Sequence, residues 1–424
     1  MTGEPALAAL VREQRWFGSK SRALAGGRIA DAGSLSADCV LALFDVEFAD
    51  GGHELYQVPY RVAGAGAGEN VIALADAPLA HALLAALLRS ERVATDGGAF
   101  EFELSAAVPG EDALEQVRSV GGEQSNSSVV FGERCILKAY RRLEDGESAE
   151  LEMLRFLDAH GFEQAPRLLG WYVYEGPRLA ATLGILQEFA PGAHDGWLDA
   201  LDSLPDPAEF LSRLRRLGEV TARMHNVLAS DAADPAFAPE ELGPWSEADT
   251  LPWLAGAPEP IRARSAEVLE RLRALHQAGT GGKAIRQHGD YHLGQVLWAR
   301  GDWLVLDFEG EPARPLAERR HKSTPLRDVA GMLRSFAYAA ETGRTQGAPG
   351  PADWERDARA AFLSGYTDAI DDSLLPPEGV PREALLAACE LEKALYELRY
   401  EQDNRPAWVH VPVAGILRAL ASTS

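Results

Sequence analysis

A chain of 424 residues exceeds the usual span of one hydrophobic core and predicts two or three domains. Its 41 lysines and arginines against 64 aspartates and glutamates give a formal net charge of −23, which repels nucleic-acid backbones and anionic lipid heads and argues against both as partners. With 46% hydrophobic and 25% charged residues the composition is that of a folded protein, and each long apolar run is broken before it could span a bilayer.

Met1 is followed by Thr2, Gly3 and Glu4 rather than by a basic segment and an apolar core, so no secretory signal is read and the expected location is the cytoplasm. Residues 1–92 open with a helical pattern (Leu7, Leu10, Val11), continue through alternating stretches at 39–44 and 54–62, and end on the apolar helix 80–88. This is a small α+β unit. The run from Gly64 to Gly68 has the look of a phosphate loop, but without a strand before it and a helix directly after, a flexible turn is the better reading. Residues 93–190 read as strands around one helix: 100–104, 115–120, 127–131, 134–140, helix 149–160, then 181–189. Helical periodicities dominate 191–424, interrupted by one stretch of short strands and turns over 287–307. Cys39, Cys135 and Cys389 lie far apart with no CxxC spacing, so three buried thiols are expected rather than a disulfide or a zinc site.

The strongest chemical signal is His288-Gly289-Asp290-Tyr291-His292-Leu293-Gly294-Gln295, followed by apolar Trp303-Leu304-Val305-Leu306 and then Asp307-Phe308-Glu309. Phosphoryl transfer needs a carboxylate to orient and deprotonate the attacking hydroxyl, and oxygen ligands for a metal on the ATP phosphates. Asp290 fits the first task; Asp307 and the amide of Gln295 fit the second. Alone, the first aspartate could be a turn cap and the other a strand end; their combination with the glutamine points to a kinase using Mg²⁺ and ATP. The two histidines at i and i+4 lack the glutamate that a zinc protease places after the first.

An ATP site also needs a held cation. Lys138, in the strand pattern 135–140, is the candidate, with Glu150 or Glu152 of the next helix as its partner and Glu152 favoured. The small-residue hairpin 121–128, including Ser127, could cover phosphates. The segment 185–190, with Gln187 and Phe189, lies where a hinge would offer backbone hydrogen bonds to adenine.

These residues resemble the actinobacterial maltokinases and their glucosamine-kinase relatives, which are similar in fold to aminoglycoside phosphotransferases. The likeness runs through Arg15-Trp16-Phe17, Ser127 to Phe131, Ile136-Leu137-Lys138, 217–225, 287–297, 307–320, 323–338 and 396–408, nearly the whole chain. It implies an α+β, two-lobed kinase-like fold: an N-terminal cap over 1–92, an N-lobe over 93–190 and a mostly helical C-lobe over 191–424. It carries the base role to Asp290, metal ligation to Gln295 and Asp307, and phosphate contact to Lys138. A small sugar and ATP are the expected ligands, and a monomer or weak homodimer the expected state.

Where maltokinases are expected to read Tyr-Glu-Ala-Arg-Asn-Arg-Pro, this chain has Tyr400-Glu401-Gln402-Asp403-Asn404-Arg405-Pro406, a local charge shift of −2. An amino sugar rewards an acid near its nitrogen, so the change favours glucosamine over maltose. Unless they are merely solvated, Gln402 and Asp403 are its selectors; His292, Glu309, Glu397, Tyr400 and Trp408 complete the expected sugar site. The alternatives are a maltokinase forming maltose 1-phosphate and an inactive kinase-like sensor. A protein kinase is disfavoured, since no DFG or APE segment follows.

Overall fold

The computed structural model describes residues 4–62, 74–108, 110, 114–120, 126–311, 314–348 and 350–421. The glycine run at 64–68 and the hairpin stretch 121–125 lie outside the described residues. The chain forms two compact units, one from 1–158 with 166–192 and the other from 159–165 with 193–424.

The first unit begins with helix α1 (Glu4–Glu13) and strands β1 (Leu24–Ser34), β2 (Cys39–Phe48) and β3 (His53–Arg61), then α2 (Ala77–Leu88), β4 (Arg92–Ala94) and β5 (Ala99–Leu104). It continues through β6 (Val117–Ser119), β7 (Ser127–Phe131), β8 (Cys135–Ala139), β9 (Arg142–Leu143), α3 (Ala149–Ala159), β10 (Leu168–Gly176) and β11 (Leu179–Glu188). Two sheets result, ordered β1-β2-β3-β9 and β4-β5-β10-β11-β8-β7-β6.

The period-two alternation of β2 explains why two cores meet at that strand. Its Leu41 and Leu43 join α2 and the seven-stranded sheet, whereas Phe44, Val46 and Phe48 join an aromatic cluster with Trp16, Phe17 and Tyr56. Helix α2 starts at Asp76, whose carboxylate accepts from the Leu79 backbone N–H and is paired with Arg61 at 2.7 Å. Apolar side chains from both sides of residue 92, Leu83 and Leu87 before it and Phe100 and Leu186 after it, share one core.

The second unit contains β12 (His194–Asp195), α4 (Gly196–Ser203), α5 (Ala208–Leu228), β13 (Glu240–Glu241), α6 (Glu247–Ala255), α7 (Glu259–Arg262), α8 (Ser265–Ala278) and β14 (Lys283–Ala284). After the loop carrying Asp290 come β15 (Val296–Ala299), β16 (Asp302–Val305), α9 (Leu316–Arg319), α10 (Leu326–Thr345), α11 (Trp354–Ala369), α12 (Val380–Asn404) and α13 (His410–Ala421). The small sheet β12-β15-β16 flanks that loop, a two-stranded ribbon pairs β13 with β14, and helices form the rest of the described secondary structure. Among the described residues, no helix is long and apolar enough to cross a membrane.

Candidate active site

In the first unit, β8 lies between β7 and β11, so its Cys135, Leu137 and Ala139 fill the core while Lys138 takes the opposite face. The Lys138 ammonium meets the buried Glu150 carboxylate at 2.7 Å, and the Tyr140 hydroxyl donates to the same oxygen at 2.8 Å. Glu150, rather than the Glu152 favoured from the sequence, is therefore the carboxylate on Lys138. Two positions along a helix turn a side chain by roughly 200°, so only one of the two can face the strand.

Two further expectations change. The Ser127 hydroxyl accepts from Arg141 Nε at 2.8 Å, which turns it toward the interior of the unit. At the proposed adenine segment, the Phe189 N–H donates to the Arg134 carbonyl and the Glu188 N–H to the Arg167 carbonyl, both at 2.9 Å. Those donors are spent inside the protein. Gln187 is buried in β11, opposite Ile136 of β8.

In the second unit the loop from His288 to Gln295 is held from below by one residue of α10. Asp328, 2% exposed, accepts from the backbone N–H groups of His288 at 2.8 Å and Gly289 at 2.9 Å, and its carboxylate also meets His225 at 3.1 Å. Burial alone would raise this carboxyl, but the bond from His225, the charges of His225 and His288 and the Gly289 N–H outweigh it and hold the pKa below the usual value. The Gly289 backbone has φ +86°, in the left-handed region glycine tolerates. Gly331 of α10 lets the helix approach: a Cβ there would fall 2.6 Å from the Tyr291 carbonyl.

The same loop is stitched to the strand end that carries Asp307. His288 Nε2 meets the Leu306 carbonyl at 2.7 Å, and the Leu306 N–H donates to the Gln295 carbonyl at 2.9 Å. The Gln295 amide then lies 3.1 Å from the Asp307 carboxylate, so these two groups are brought together. Asp307 has φ +62°, rare for a residue with a side chain, just after the strand ends at Val305. Carboxylate oxygens of Asp307 and Glu309 lie within 4.8 Å of one another. Two carboxylates, with an amide whose Nε2 here donates to Asp307 and whose oxygen would turn to meet an ion, make an oxygen donor set of the hard kind that suits Mg²⁺.

Asp290 is 3.2 Å from the ammonium of Lys393 on α12, which also meets Glu311 at 2.9 Å. Burial works against charge on Glu311, but Lys393, Arg314 and Arg327 prevail and hold its pKa down to about 2. Burial likewise opposes charge on Lys393, and Glu311 and Asp290 reverse it, raising that pKa above the ordinary lysine value. Lys393 and Glu311 are the site residues that sequence reading missed. Glu311 stood inside the family-like run 307–320, and Lys393 lies one turn before Glu397 on the same helix face, the signals that would have found them.

The other expected sugar residues each make contacts of their own. Glu397 is bound through Oε2 to Arg334 at 2.6 Å, and Trp408 stacks on Tyr338 with centroids 6.3 Å apart. His292 lies 3.9 Å from Asp290 and accepts the Gly294 N–H on Nδ1 at 3.1 Å. Tyr400 is 41% exposed. Gln402, half a turn round α12 from Lys393, donates to the Gly256 carbonyl after α6 at 3.1 Å, and Asp403 is exposed. The helix thus carries Gln402 away from Lys393 and its partner Asp290, and the two residues expected to select the sugar do not converge there.

Residues 116–369 match the phosphotransferase enzyme family and residues 11–98 the maltokinase N-terminal cap domain. A glucosamine kinase from Mycolicibacterium smegmatis (strain ATCC 700084 / mc(2)155) is 32% identical over 318 residues, covering 70% of this chain and 78% of that one. The chain belongs to the capped sugar kinases of this phosphotransferase family. A second relative of the capped sugar kinase, a glucosamine kinase from Streptacidiphilus jiangxiensis, is 32% identical over 369 residues, 78% of this chain and 79% of that one. In fold, the capped sugar kinase is similar to a crystallised glucosamine kinase at a TM-score of 0.70 and 24% identity, spanning 98% of this chain and 99% of that one. A structure of glucosamine kinase with glucosamine, ADP and inorganic phosphate matches at 0.69, with 24% identity and the same coverage. The chain is an ATP-dependent sugar kinase with the kinase-like phosphotransferase fold and an N-terminal cap.

Proposed function

We propose that this kinase transfers the γ-phosphoryl group of ATP to a hydroxyl of glucosamine. The observation that carries the substrate is the 32% identity to two glucosamine kinases over most of the chain. The pair of Gln402 and Asp403, a neutral amide and an exposed carboxylate, adds no support, since Gln402 donates to the Gly256 carbonyl rather than turning toward Asp290.

Asp290 is the base: it orients the attacking hydroxyl and receives its proton, and no covalent intermediate on the protein is needed. Gln295 and Asp307, with Glu309 beside them, would hold Mg²⁺, which when bound neutralises charge on the phosphates. Lys138, kept in place by Glu150, meets the phosphates. Ser127, whose hydroxyl accepts from Arg141, and the adenine segment around Gln187 and Phe189, whose Glu188 and Phe189 N–H groups go to Arg167 and Arg134, contribute backbone and packing. Around the sugar, His292 and Tyr400 supply hydrogen bonds and Trp408 an apolar face. Glu397 keeps Oε1 outside its bonds from Arg334, both of which go to Oε2, and so retains an acceptor for a sugar amino group.

Cap (1–92), N-lobe (93–190) and C-lobe (191–424) serve as the working division of the enzyme, which acts in the cytoplasm as a monomer or weak homodimer. The match of residues 11–98 to a maltokinase cap favours maltose as the second reading. Sugar-dependent ADP release with Mg-ATP decides between them, using maltose, glucose, glucosamine and N-acetylglucosamine with Asp290→Asn as the blank. Glucosamine turned over at least about tenfold better than maltose supports the proposal; the reverse order overturns it.

A further inference from the structure

Kinase chemistry as described leaves Lys393 without a task. Its side chain, 16% exposed, spans Asp290 at 3.2 Å and Glu311 at 2.9 Å, with the Tyr396 ring 4.7 Å away. Glu311 is fixed from behind by Arg314 Nε at 2.6 Å and is only 6% exposed. The bond from Lys393 goes to Oδ1 of Asp290, while Oδ2 faces His292 at 3.9 Å, beyond hydrogen-bond reach. Lys393 therefore decides which oxygen of the base is left for a sugar hydroxyl.

An amino sugar brings two groups that compete for such a carboxylate. A neutral hydroxyl makes the productive contact, but an ammonium makes a charge-assisted bond roughly twice as strong and would seat the sugar with no hydroxyl to transfer to. A neutral sugar poses no such conflict. With an ammonium already on Asp290 and a second carboxylate behind it, a further cation gains little there and meets a like charge.

We propose that Lys393 is a positioning and specificity residue, holding Asp290 by one oxygen and barring the sugar's own ammonium from the base, so that an amino sugar presents a hydroxyl there. The inference rests on the glucosamine reading above. It makes an odd demand on the substrate: the enzyme for a cationic sugar keeps its own cation at the reacting end.

The test is the rate of ADP release by wild type, Lys393→Met and Lys393→Arg, with glucosamine and with glucose at fixed Mg-ATP, and ADP-induced thermal stabilisation as the check on folding. With Lys393→Met, kcat is expected to fall about tenfold or more on both sugars, while KM falls at least about threefold for glucosamine alone, the mark of unproductive binding at a bared Asp290. Lys393→Arg should return most of the wild-type split. Parallel KM changes for the two sugars, or an unchanged kcat, overturn the proposal, because a merely structural lysine would not separate them. If the methionine variant does not fold, Lys393→Met combined with Glu311→Gln removes one charge of each sign, and the same split is read there. A wild type active on glucosamine with no split in the variant sinks only this inference; a wild type active on neither sugar sinks the glucosamine reading and this with it.

Discussion

Arg141 of the first unit and Lys393 of the second are both long cations drawn largely out of solvent, and they have opposite fates. Arg141 of the first unit is 1% exposed, donates from Nε to Ser127 and lies with its guanidinium 5.0 Å from the centre of the Trp16 ring. Its Nη1 finds no hydrogen-bond partner and, among the described residues, no carboxylate pairs with it. Burial pushes its pKa down to about 10, with Tyr172 opposing weakly. Lys393 of the second unit suffers the same desolvation, yet Glu311 and Asp290 turn the shift upward. Burial penalises charge in both places, and the carboxylates decide the sign. A cation held by two carboxylates beside the catalytic loop is maintained as a charge. One held by a hydroxyl and an indole face is tolerated as packing.

The sharpest way to break that contrast is to remove the carboxylate proposed as the base. Asp290→Asn should cut sugar-dependent ADP release by about 10³-fold, while ADP still raises the melting temperature as in wild type. The fold should survive, because Glu311 still neutralises Lys393. If unfolding by denaturant shows a loss of more than about 3 kcal/mol, Asp290 and not Glu311 is what sustains the buried lysine, and the assignment of separate tasks to the two carboxylates fails. Retention of more than a tenth of the rate would instead remove Asp290 from the base role.

The parts of this site that were legible in the sequence are those written locally. Asp290, Gln295 and Asp307 lie on one loop and the strand end that follows, within 18 residues, and the structure joins that loop to that strand through His288 and Leu306. Lys138 was legible because strand alternation sends it away from Leu137 and Ala139. What stayed hidden depended on helix register or on distant pairing. Glu150 and Glu152 cannot be told apart until α3 is docked. Lys393 meets Asp290 across 103 residues, and only its place one turn before Glu397 sets it apart from its neighbours on α12. Asp328 supports the loop from 38 residues beyond Asp290, inside a helix whose apolar face hides it. Gln402 was singled out by its departure from the maltokinase pattern, and such a comparison is blind to the half turn separating it from Lys393.

Arg141 gives a smaller effect with a definite sign. A base whose folded pKa is pushed down to about 10 costs stability at every pH below that value, and the cost is relieved only as pH climbs from there toward the ordinary arginine range, because the unfolded chain holds the proton longer. Arg141→Met should therefore leave unfolding free energy at neutral pH within about 1 kcal/mol of wild type or raise it, by chemical denaturation. A loss beyond about 2 kcal/mol would mean that the guanidinium has a stabilising partner after all, and the contrast with Lys393 would collapse.

The least effect is expected where a charge is neither buried nor aimed at the base. Gln402 donates to the Gly256 carbonyl and Asp403 is exposed, so the double change Gln402→Ala with Asp403→Ala removes one surface hydrogen bond and one solvated carboxylate. Screening leaves such a carboxylate little influence beyond a Debye length of about 8 Å at physiological salt. The ratio of kcat/KM for glucosamine over maltose should stay within about twofold, since only groups that contact the sugar in its transition state can move it further. A tenfold fall in that ratio would mean that the sugar reaches the far face of α12 and that the acidic end of this helix, rather than the neighbourhood of Lys393 and Glu397, selects the substrate.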